Sequence, residues 1–148
     1  MINKIIKILA ILSFITSTVN ADNLSIFDFT KEELDSLKVR KVRGADSNTK
    51  YIIGDNENGN YLKAEANNAA SGVGKEVKID LNKTPFINIT WKIEKDLKGI
   101  KENTKKGHDF SARVFVIKKT GATALSNRAV NYVFSSNRDV GESWQSPY

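Results

Sequence analysis

The residues best suited to chemistry are a histidine, an aspartate and an arginine that lie close together in the second half of the chain. Arg113 stands between two apolar residues, and burying its guanidinium is costly unless a carboxylate or a ligand satisfies it. Asp109 is four positions earlier, roughly 13 Å along an extended strand, so it cannot pair tightly with Arg113 inside that strand. We expect Arg113 either to pair with a carboxylate elsewhere in the sheet or to contact an anion or a sugar hydroxyl.

His108 is the single histidine, which excludes any mechanism that needs two imidazoles. It could act as a general base near neutral pH, but a histidine beside a Lys-Lys-Gly turn is more often a solvated loop residue. An envelope glycan-active hydrolase or lyase would use Asp109 with His108 or Arg113. That enzyme hypothesis requires a second carboxylate within about 5–10 Å of Asp109 across a cleft.

Amide and aromatic side chains follow near the end of the chain. Asn131 and Tyr132 fall in the last predicted strand, and Trp144 comes after it. Aromatic rings flanked by amides suit a carbohydrate-binding face, although the same residue types often close the edge of a sandwich. The candidate ligand-binding residues are therefore His108, Asp109, Arg113, Asn131, Tyr132 and Trp144.

No phosphate-binding loop, nucleophile elbow or metal-binding helix motif is present in the sequence. The absence of cysteine excludes a disulfide scaffold and a thiolate metal site. The polar turn at residues 55–60 has oxygen-bearing side chains that Ca²⁺ prefers, but it lacks the full calcium-loop pattern. We predict no cofactor and no metal.

Short segments of alternating polarity, separated by Gly, Asn and Asp turns, must position these side chains. This pattern predicts an all-β fold, an antiparallel β-sandwich. Thr30, followed three positions later by Glu33, predicts the start of one short helix. The predicted strands cover residues 26–29, 39–43, 51–53, 61–66, 77–81, 85–94, 110–117 and 129–135.

Two of these strands carry predictions about burial. Alternation after Pro85 places Trp91 on an apolar face, so we expect a core residue rather than a ligand platform. Residues 110–117 have Val114 on one face and Arg113 on the other, with apolar neighbours on both faces. Such a strand is predicted to lie in the middle of a sheet.

The first 21 residues have the three-part pattern of a secretory signal peptide. A lysine-bearing start is followed by an apolar run at residues 8–15, and Val19 and Ala21 supply the small residues before cleavage. The apolar run is shorter than the roughly 20 residues that a spanning helix needs, which disfavours a membrane anchor. We expect residues 22–148 to form a single periplasmic or secreted domain with no stable membrane anchor.

The mature chain would carry 21 basic and 17 acidic residues, a net charge of +4. Basic residues are interspersed, only five of the 23 in the whole chain are arginines, and the densest cluster is the lysine-rich stretch at residues 95–106. This dispersed pattern argues against nucleic-acid binding. A carbohydrate or envelope polysaccharide is the partner that the candidate residues favour.

Three segments together resemble a known family: SGVGKEVKIDLNKTPFINITWKIE, GHDFSARVFVIKK and AVNYVFSSNRDVGESWQSPY. From about Phe27 to Tyr148 the chain is similar to the exported bacterial family catalogued as domain of unknown function 3047. The resemblance implies a signal peptide, a sandwich of jelly-roll or lectin-like type, and no established activity. It marks Asp109, Arg113, Asn131, Tyr132, Gly141, Trp144, Pro147 and Tyr148 as motif positions.

The chain departs from the family pattern at three places. Ile89 stands where the family usually has a second tryptophan, and His108-Asp109 stands where it usually has an acidic pair. Members also continue past the position of Tyr148 with further strands, so the resemblance implies a sandwich that lacks its C-terminal strands. A non-enzymatic binding module is the leading hypothesis, with the glycan-active enzyme and a structural envelope protein without a small ligand as alternatives.

Overall fold

The computed structural model describes residues 23–123 and 126–148, so the predicted leader at residues 1–21 lies outside the described residues. Its elements are α1 (Lys31–Ser36), β1 (Arg40–Lys41), β2 (Lys50–Asn56), β3 (Gly59–Glu65), β4 (Ser71–Gly72), β5 (Arg113–Lys118) and β6 (Arg128–Val133). The strands form three two-stranded antiparallel sheets, which pair β1 with β4, β2 with β3 and β5 with β6. The all-β prediction is confirmed.

Backbone proximity divides the chain into two compact units, with the boundary after Ile87. The first unit contains α1 and strands β1 to β4, and the second contains β5 and β6. The single-domain organisation expected for residues 22–148 stays a prediction. Within the described residues, no helix has the length and apolar character needed to cross a bilayer.

Helix α1 begins where its capping signal predicts. The Thr30 hydroxyl accepts a hydrogen bond from the backbone N–H of Glu33 at 3.1 Å. The Glu33 carboxylate in turn accepts from the backbone N–H groups of Asp28 and Phe29. These bonds satisfy donors that a helix start would otherwise leave unpaired.

The β2–β3 hairpin turns between Asn56 and Gly59. Gly59 has a φ of +102°, a left-handed conformation that favours glycine, and the Asn56 side chain accepts from the N–H of Asn58 at 2.8 Å. The turn chemistry and the alternating strands agree, so this hairpin forms as predicted. Observed strands likewise fall at the predicted segments 39–43, 51–53, 61–66, 110–117 and 129–135.

Strands β5 and β6 pair so that Val114 lies opposite Tyr132 and Phe115 lies opposite Asn131. Because opposite residues in an antiparallel pair share a face, Arg113, Phe115 and Asn131 lie on one face of this sheet. Val114 and Tyr132 lie on the other. The face assignment predicted for residues 110–117 is confirmed.

Three predicted strands are wrong: residues 26–29, 77–81 and 85–94 are not strands. Alternating polarity shows which side chains share a face, but a strand also needs a neighbouring backbone to pair with, and none of these segments has one in the described part of the chain. Phe29 has a φ of +49°, which breaks the extended conformation of the first segment. Strand β5 pairs with β6 alone in the described residues, so the predicted mid-sheet position is not observed there.

No hydrophobic side chain among the described residues is buried. Trp91 is 37% exposed and touches Phe134 edge-on, with ring centroids 6.5 Å apart, so the prediction that it is a core residue is wrong. The physical reason is that the segment around it pairs with no second strand. The two residues that are buried in the part of the chain described, Thr49 and Glu102, are both polar.

Candidate functional site

Four rings meet near the start of β5 in the second unit and form what we call the aromatic cluster: His108, Phe110, Trp144 and Tyr148. His108 packs edge-on against Phe110 with ring centroids 5.2 Å apart, and its ring lies 5.4 Å from that of Tyr148. Trp144 lies 6.3 Å from Phe110. Trp144 and Tyr148 come 36 and 40 positions after His108 in the sequence, and the fold brings all three into one cluster.

The Arg113 guanidinium lies over two aromatic rings, 4.7 Å from the centroid of Phe110 and 5.3 Å from that of Phe115. One of its nitrogens donates a hydrogen bond to the His108 carbonyl at 3.2 Å. Burial lowers the pKa of Arg113, and the nearby Asp109 and Tyr148 oppose that shift. The guanidinium remains charged at any physiological pH.

The internal Arg–carboxylate pair that the sequence favoured for Arg113 is not observed. In the described residues its guanidinium forms no ion pair and is held instead by rings two and three positions away along the chain. Attraction between a guanidinium and the face of a ring supplies part of what a carboxylate would. No ion pair joins Asp109 to Arg113 in the described residues, although Asp109 lies in the turn before β5 and not in the strand for which the pair was excluded.

Asp109 is exposed at the turn that leads into β5. Its carboxylate accepts the backbone N–H of Phe110 at 2.9 Å, and its own N–H donates to the carbonyl of Gly107 at 2.8 Å. The turn therefore presents the carboxylate outward, beside the half-buried Arg113.

His108 is half-buried rather than solvated, because its ring lies between Phe110 and Tyr148. Its Nδ1 lies 3.2 Å from the carbonyl oxygen of Glu102, which favours the tautomer with the proton on Nδ1. The expected solvated loop histidine is therefore a packing residue of the cluster.

The outer rings of the cluster each have a cation beside them. Arg138 lies 5.0 Å from the Trp144 ring and pairs with Glu142 at 3.1 Å. Lys105 Nζ lies 6.0 Å from the Tyr148 ring, whose hydroxyl donates to the Lys105 carbonyl at 2.9 Å. Tyr148 is 81% exposed.

The two candidates on β6 have different positions. Asn131 lies opposite Phe115 on the face that carries Arg113, and its side-chain oxygen is buried without a hydrogen-bond partner among the described residues. Tyr132 lies on the opposite face and is 40% exposed. The structure thus groups Asn131 with Arg113 on one face and leaves Tyr132 apart from it.

A buried carboxylate holds the segment that leads to the cluster, residues 97–107, which we call the lysine-rich loop. Glu102 is 4% exposed and accepts from the Ser135 hydroxyl at 2.5 Å and the Asn137 amide at 3.3 Å. Asn137 also donates to the carbonyl of Ile100 at 3.1 Å. The loop is therefore fixed to the residues that follow β6.

Just before the loop, Asp96 is held in the same way. The Ser111 hydroxyl donates to its carboxylate at 2.7 Å, and hydrogen bonds from Ser136 and Ser111 hold the pKa of Asp96 below its ordinary value. Neutral hydroxyl groups, rather than lysines, are the main partners of this carboxylate.

The lysine-rich loop forms the walls of a solvent-open depression of about 340 Å³. It is lined by Gly99, Ile100, Lys101, Thr104, Lys106 and Gly107. The loop folds back closely at Gly107, where an added Cβ would lie 2.5 Å from the carbonyl oxygen of Lys101. The Thr104 hydroxyl links the two sides, because it donates to the Lys101 carbonyl and accepts from the Gly107 N–H.

Sequence reasoning missed Phe110, Phe115 and Arg138 as parts of the site. Two of them carried a usable signal, since aromatic residues flank Arg113 at distances of two and three positions. Glu102 carried none, because its partners lie 33 and 35 positions later in the chain. A single glutamate among lysines reads as a solvated residue.

A family model described as a protein of unknown function, DUF3047, matches residues 35–148. The chain belongs to this family. No curated protein and no solved structure matches it. The DUF3047 match covers every candidate site residue and both strands of the second unit.

Most of the motif positions that the resemblance to DUF3047 implied lie at or beside the aromatic cluster. Arg113, Trp144 and Tyr148 take part in its ring contacts, and Asp109 lies beside them in sequence. Gly141 has a φ of +91°, a conformation that favours glycine and shapes the turn before Trp144.

Proposed function

We propose that this DUF3047 chain is an exported β-sandwich module, of jelly-roll or lectin-like type, that binds a carbohydrate or another polar envelope ligand without transforming it. The leader pattern at residues 1–21 supports export. The ligand contacts Arg113 and the aromatic cluster.

The sandwich is supported by the apolar side chains that β5 and β6 expose on both faces. Val116 and Val130 lie opposite each other on one face, and Phe115 and Ile117 lie on the other. All four are exposed, although each belongs to a residue type that is usually buried. A second sheet packed on one face would cover half of them.

Ligand binding rests on one observation above all: the half-buried Arg113 has more donors than the described residues satisfy. A guanidinium has five N–H donors in a fixed fork, and within the described ranges Arg113 donates a single hydrogen bond, to the His108 carbonyl. Hydroxyl or carboxylate oxygens of a ligand would complete that fork. The outward carboxylate of Asp109 adds an acceptor beside it, so a sugar would meet both hydrogen-bond donors and an acceptor there.

The test is affinity electrophoresis of the purified chain through gels that contain envelope and plant polysaccharides. We expect at least one polymer to retard the wild type. Trp144→Ala and Arg113→Gln should each weaken retardation by about tenfold, the effect of losing a central binding residue. Trp91→Ala is the matched control, because it removes the other tryptophan, which contacts Phe134 and lies outside the aromatic cluster.

An unretarded wild type on every polymer would sink the proposal. Circular dichroism of each variant separates lost binding from lost structure. Release of reducing ends from a bound polymer would favour the hydrolase or lyase hypothesis, and Asp109→Asn should then abolish it.

A further inference from the structure

We propose that the ligand is an anionic polysaccharide, held by Arg113, by the cations beside the aromatic cluster and by the depression in the lysine-rich loop. This inference rests on the proposed function and names the chemical class of its ligand. It commits to a chain of repeated negative groups rather than to a neutral glycan.

Positive charge is concentrated in the second unit. Residues 88–148 contain eleven basic and six acidic residues, whereas the described residues of the first unit, 23–87, contain ten of each. Nearly all the excess charge therefore lies on the unit that carries the site. A surface of one sign attracts ligands of the other and raises their association rate.

The carboxylates of the second unit do little to neutralise its loop lysines. Glu102 is turned inward to Ser135 and Asn137, and Asp96 is bonded by serine hydroxyls. Within the described residues no ion pair involves Lys101, Lys105 or Lys106. Hydroxyl and amide donors have taken the place that lysines would occupy, so the ammonium groups stay available for an external anion.

The rings of the site support cations. Arg113 lies over Phe110 and Phe115, Arg138 lies over Trp144, and Lys105 lies near Tyr148. A ring face that holds a guanidinium is closed to a stacking sugar on that side. The rings hold the Arg113 guanidinium without an ion pair to a carboxylate in the described residues. A planar guanidinium suits bidentate recognition of an anionic group.

The depression of the lysine-rich loop gives a second place for negative charge. Lys101 and Lys106 both line it, together with Thr104. The Tyr148 hydroxyl bonds to the Lys105 carbonyl, so the loop directly adjoins the cluster. Several cationic positions side by side fit a polymer with repeated anionic groups better than a single small anion.

The experiment compares polygalacturonate with the same polymer after methyl esterification, which removes the charge and keeps the sugar backbone. We expect retardation of the wild type by polygalacturonate, at least about tenfold weaker binding to the ester, and weaker binding as NaCl is raised. Dextran sulfate beside dextran forms a second arm, which shows whether the anionic group is a carboxylate or a sulfate.

The double variant Lys101→Gln/Lys106→Gln should weaken binding to the retained anionic polymer by about fivefold, the scale of two exposed charge contacts. Its matched control is Lys38→Gln/Lys83→Gln, which removes the same charge from exposed lysines of the first unit and should leave binding unchanged. If both double variants lost the same amount of binding, the effect would depend on net charge alone, and the proposed site in the loop would be wrong.

Equal binding to the charged polymer and its ester would overturn the anionic class and leave the proposed function standing. Retention on no polymer would contradict both the anionic ligand class and the proposed function. Binding to phosphatidylglycerol vesicles with retention on no polysaccharide would also contradict the proposal, because it identifies a lipid surface as the partner.

Discussion

The two units differ in the partners that hold their carboxylates. In the first unit, carboxylates pair with lysines: Glu33 with Lys75 at 2.5 Å, Lys31 with Asp35 at 2.7 Å, and Glu65 with Lys63 at 2.8 Å. In the second, Glu102 and Asp96 accept from serine and asparagine side chains, and Arg113 and Arg138 lie over rings. Ion pairs of the first unit's kind also occur there, between Arg138 and Glu142 and between Lys92 and Glu94. Carboxylates of the first unit therefore pair with lysines, whereas Glu102 and Asp96 of the second unit pair with neutral donors. In the described residues, the loop lysines Lys101, Lys105 and Lys106 form no ion pair.

The two units also differ in what fills the space beside a closely packed glycine: a side chain in the first unit and backbone in the second. Gly54 in β2 and Gly107 in the lysine-rich loop both leave too little room for a Cβ. At Gly54 the obstacle is the ring of Tyr61, a side chain that is partly exposed and can rotate away. At Gly107 the obstacle is the backbone of Lys101, which cannot move without opening the loop.

The largest expected effect is therefore that of Gly107→Ala. We expect it to lower the free energy of unfolding by about 2–3 kcal/mol, the upper part of the usual cost of forcing extra atoms into a closed space, because backbone is the obstacle. Gly54→Ala should cost no more than about 1 kcal/mol, because a side-chain rotation relieves the overlap. Urea titrations followed by circular dichroism measure both, and equal losses would show that the loop is as yielding as the hairpin.

Removal of the buried carboxylate comes next. Glu102→Ala removes the acceptor of the Ser135 hydroxyl and one of the two acceptors of the Asn137 amide, and we expect it to destabilise the second unit by about 1–3 kcal/mol. Glu65→Ala removes an exposed carboxylate that pairs with lysines, and it should cost clearly less than Glu102→Ala because water screens exposed ion pairs. Hydrogen exchange of the backbone amides locates each loss, and protection unchanged in the loop of Glu102→Ala would contradict the anchoring role.

The smallest effect is a difference in salt response. The pKa of Glu33 is lowered first by its hydrogen bond from Lys75, and that of Asp96 by Ser136 and Ser111. Both carboxyl groups therefore contribute stability that is present above the unfolded pKa of about 4 and is lost as pH falls through the lower folded pKa. Added NaCl should raise the pKa of Glu33 toward its ordinary value and leave that of Asp96 nearly unchanged.

Carbon-detected NMR titration of the side-chain carboxyls at low and high NaCl measures this difference. Lys75→Gln should reproduce the effect of salt on Glu33. A pKa of Asp96 that moves with salt as much as that of Glu33 would mean that lysines, rather than serines, set its value.

Features with local causes could be predicted from the sequence. The α1 cap depends on Thr30 and Glu33 in one turn, and the β2–β3 hairpin depends on turn residues that stand next to each other. The faces of β5 follow from alternation alone. The strand expected after Pro85 failed because its pairing depends on a distant backbone, which alternation does not specify.

The site was predicted in composition more than in arrangement. His108, Asp109, Arg113 and Trp144 do come together, but the support of Arg113 was expected from a carboxylate and comes from rings. The buried role of Glu102 depends on Ser135 and Asn137, more than thirty positions away. Contacts between such distant positions are set by how the chain folds back, and no local pattern records them.

The placement of the aromatic residues has a spectroscopic consequence. Both tryptophans, Trp91 and Trp144, belong to the second unit, and the first unit contains tyrosines but no tryptophan. Indole fluorescence therefore arises only from residues 88–148. Trp144 lies beside a guanidinium and Trp91 beside the ring of Phe134, so the two indoles should emit differently. A variant that keeps Trp144 as its single tryptophan would report on the ligand site without labelling the protein.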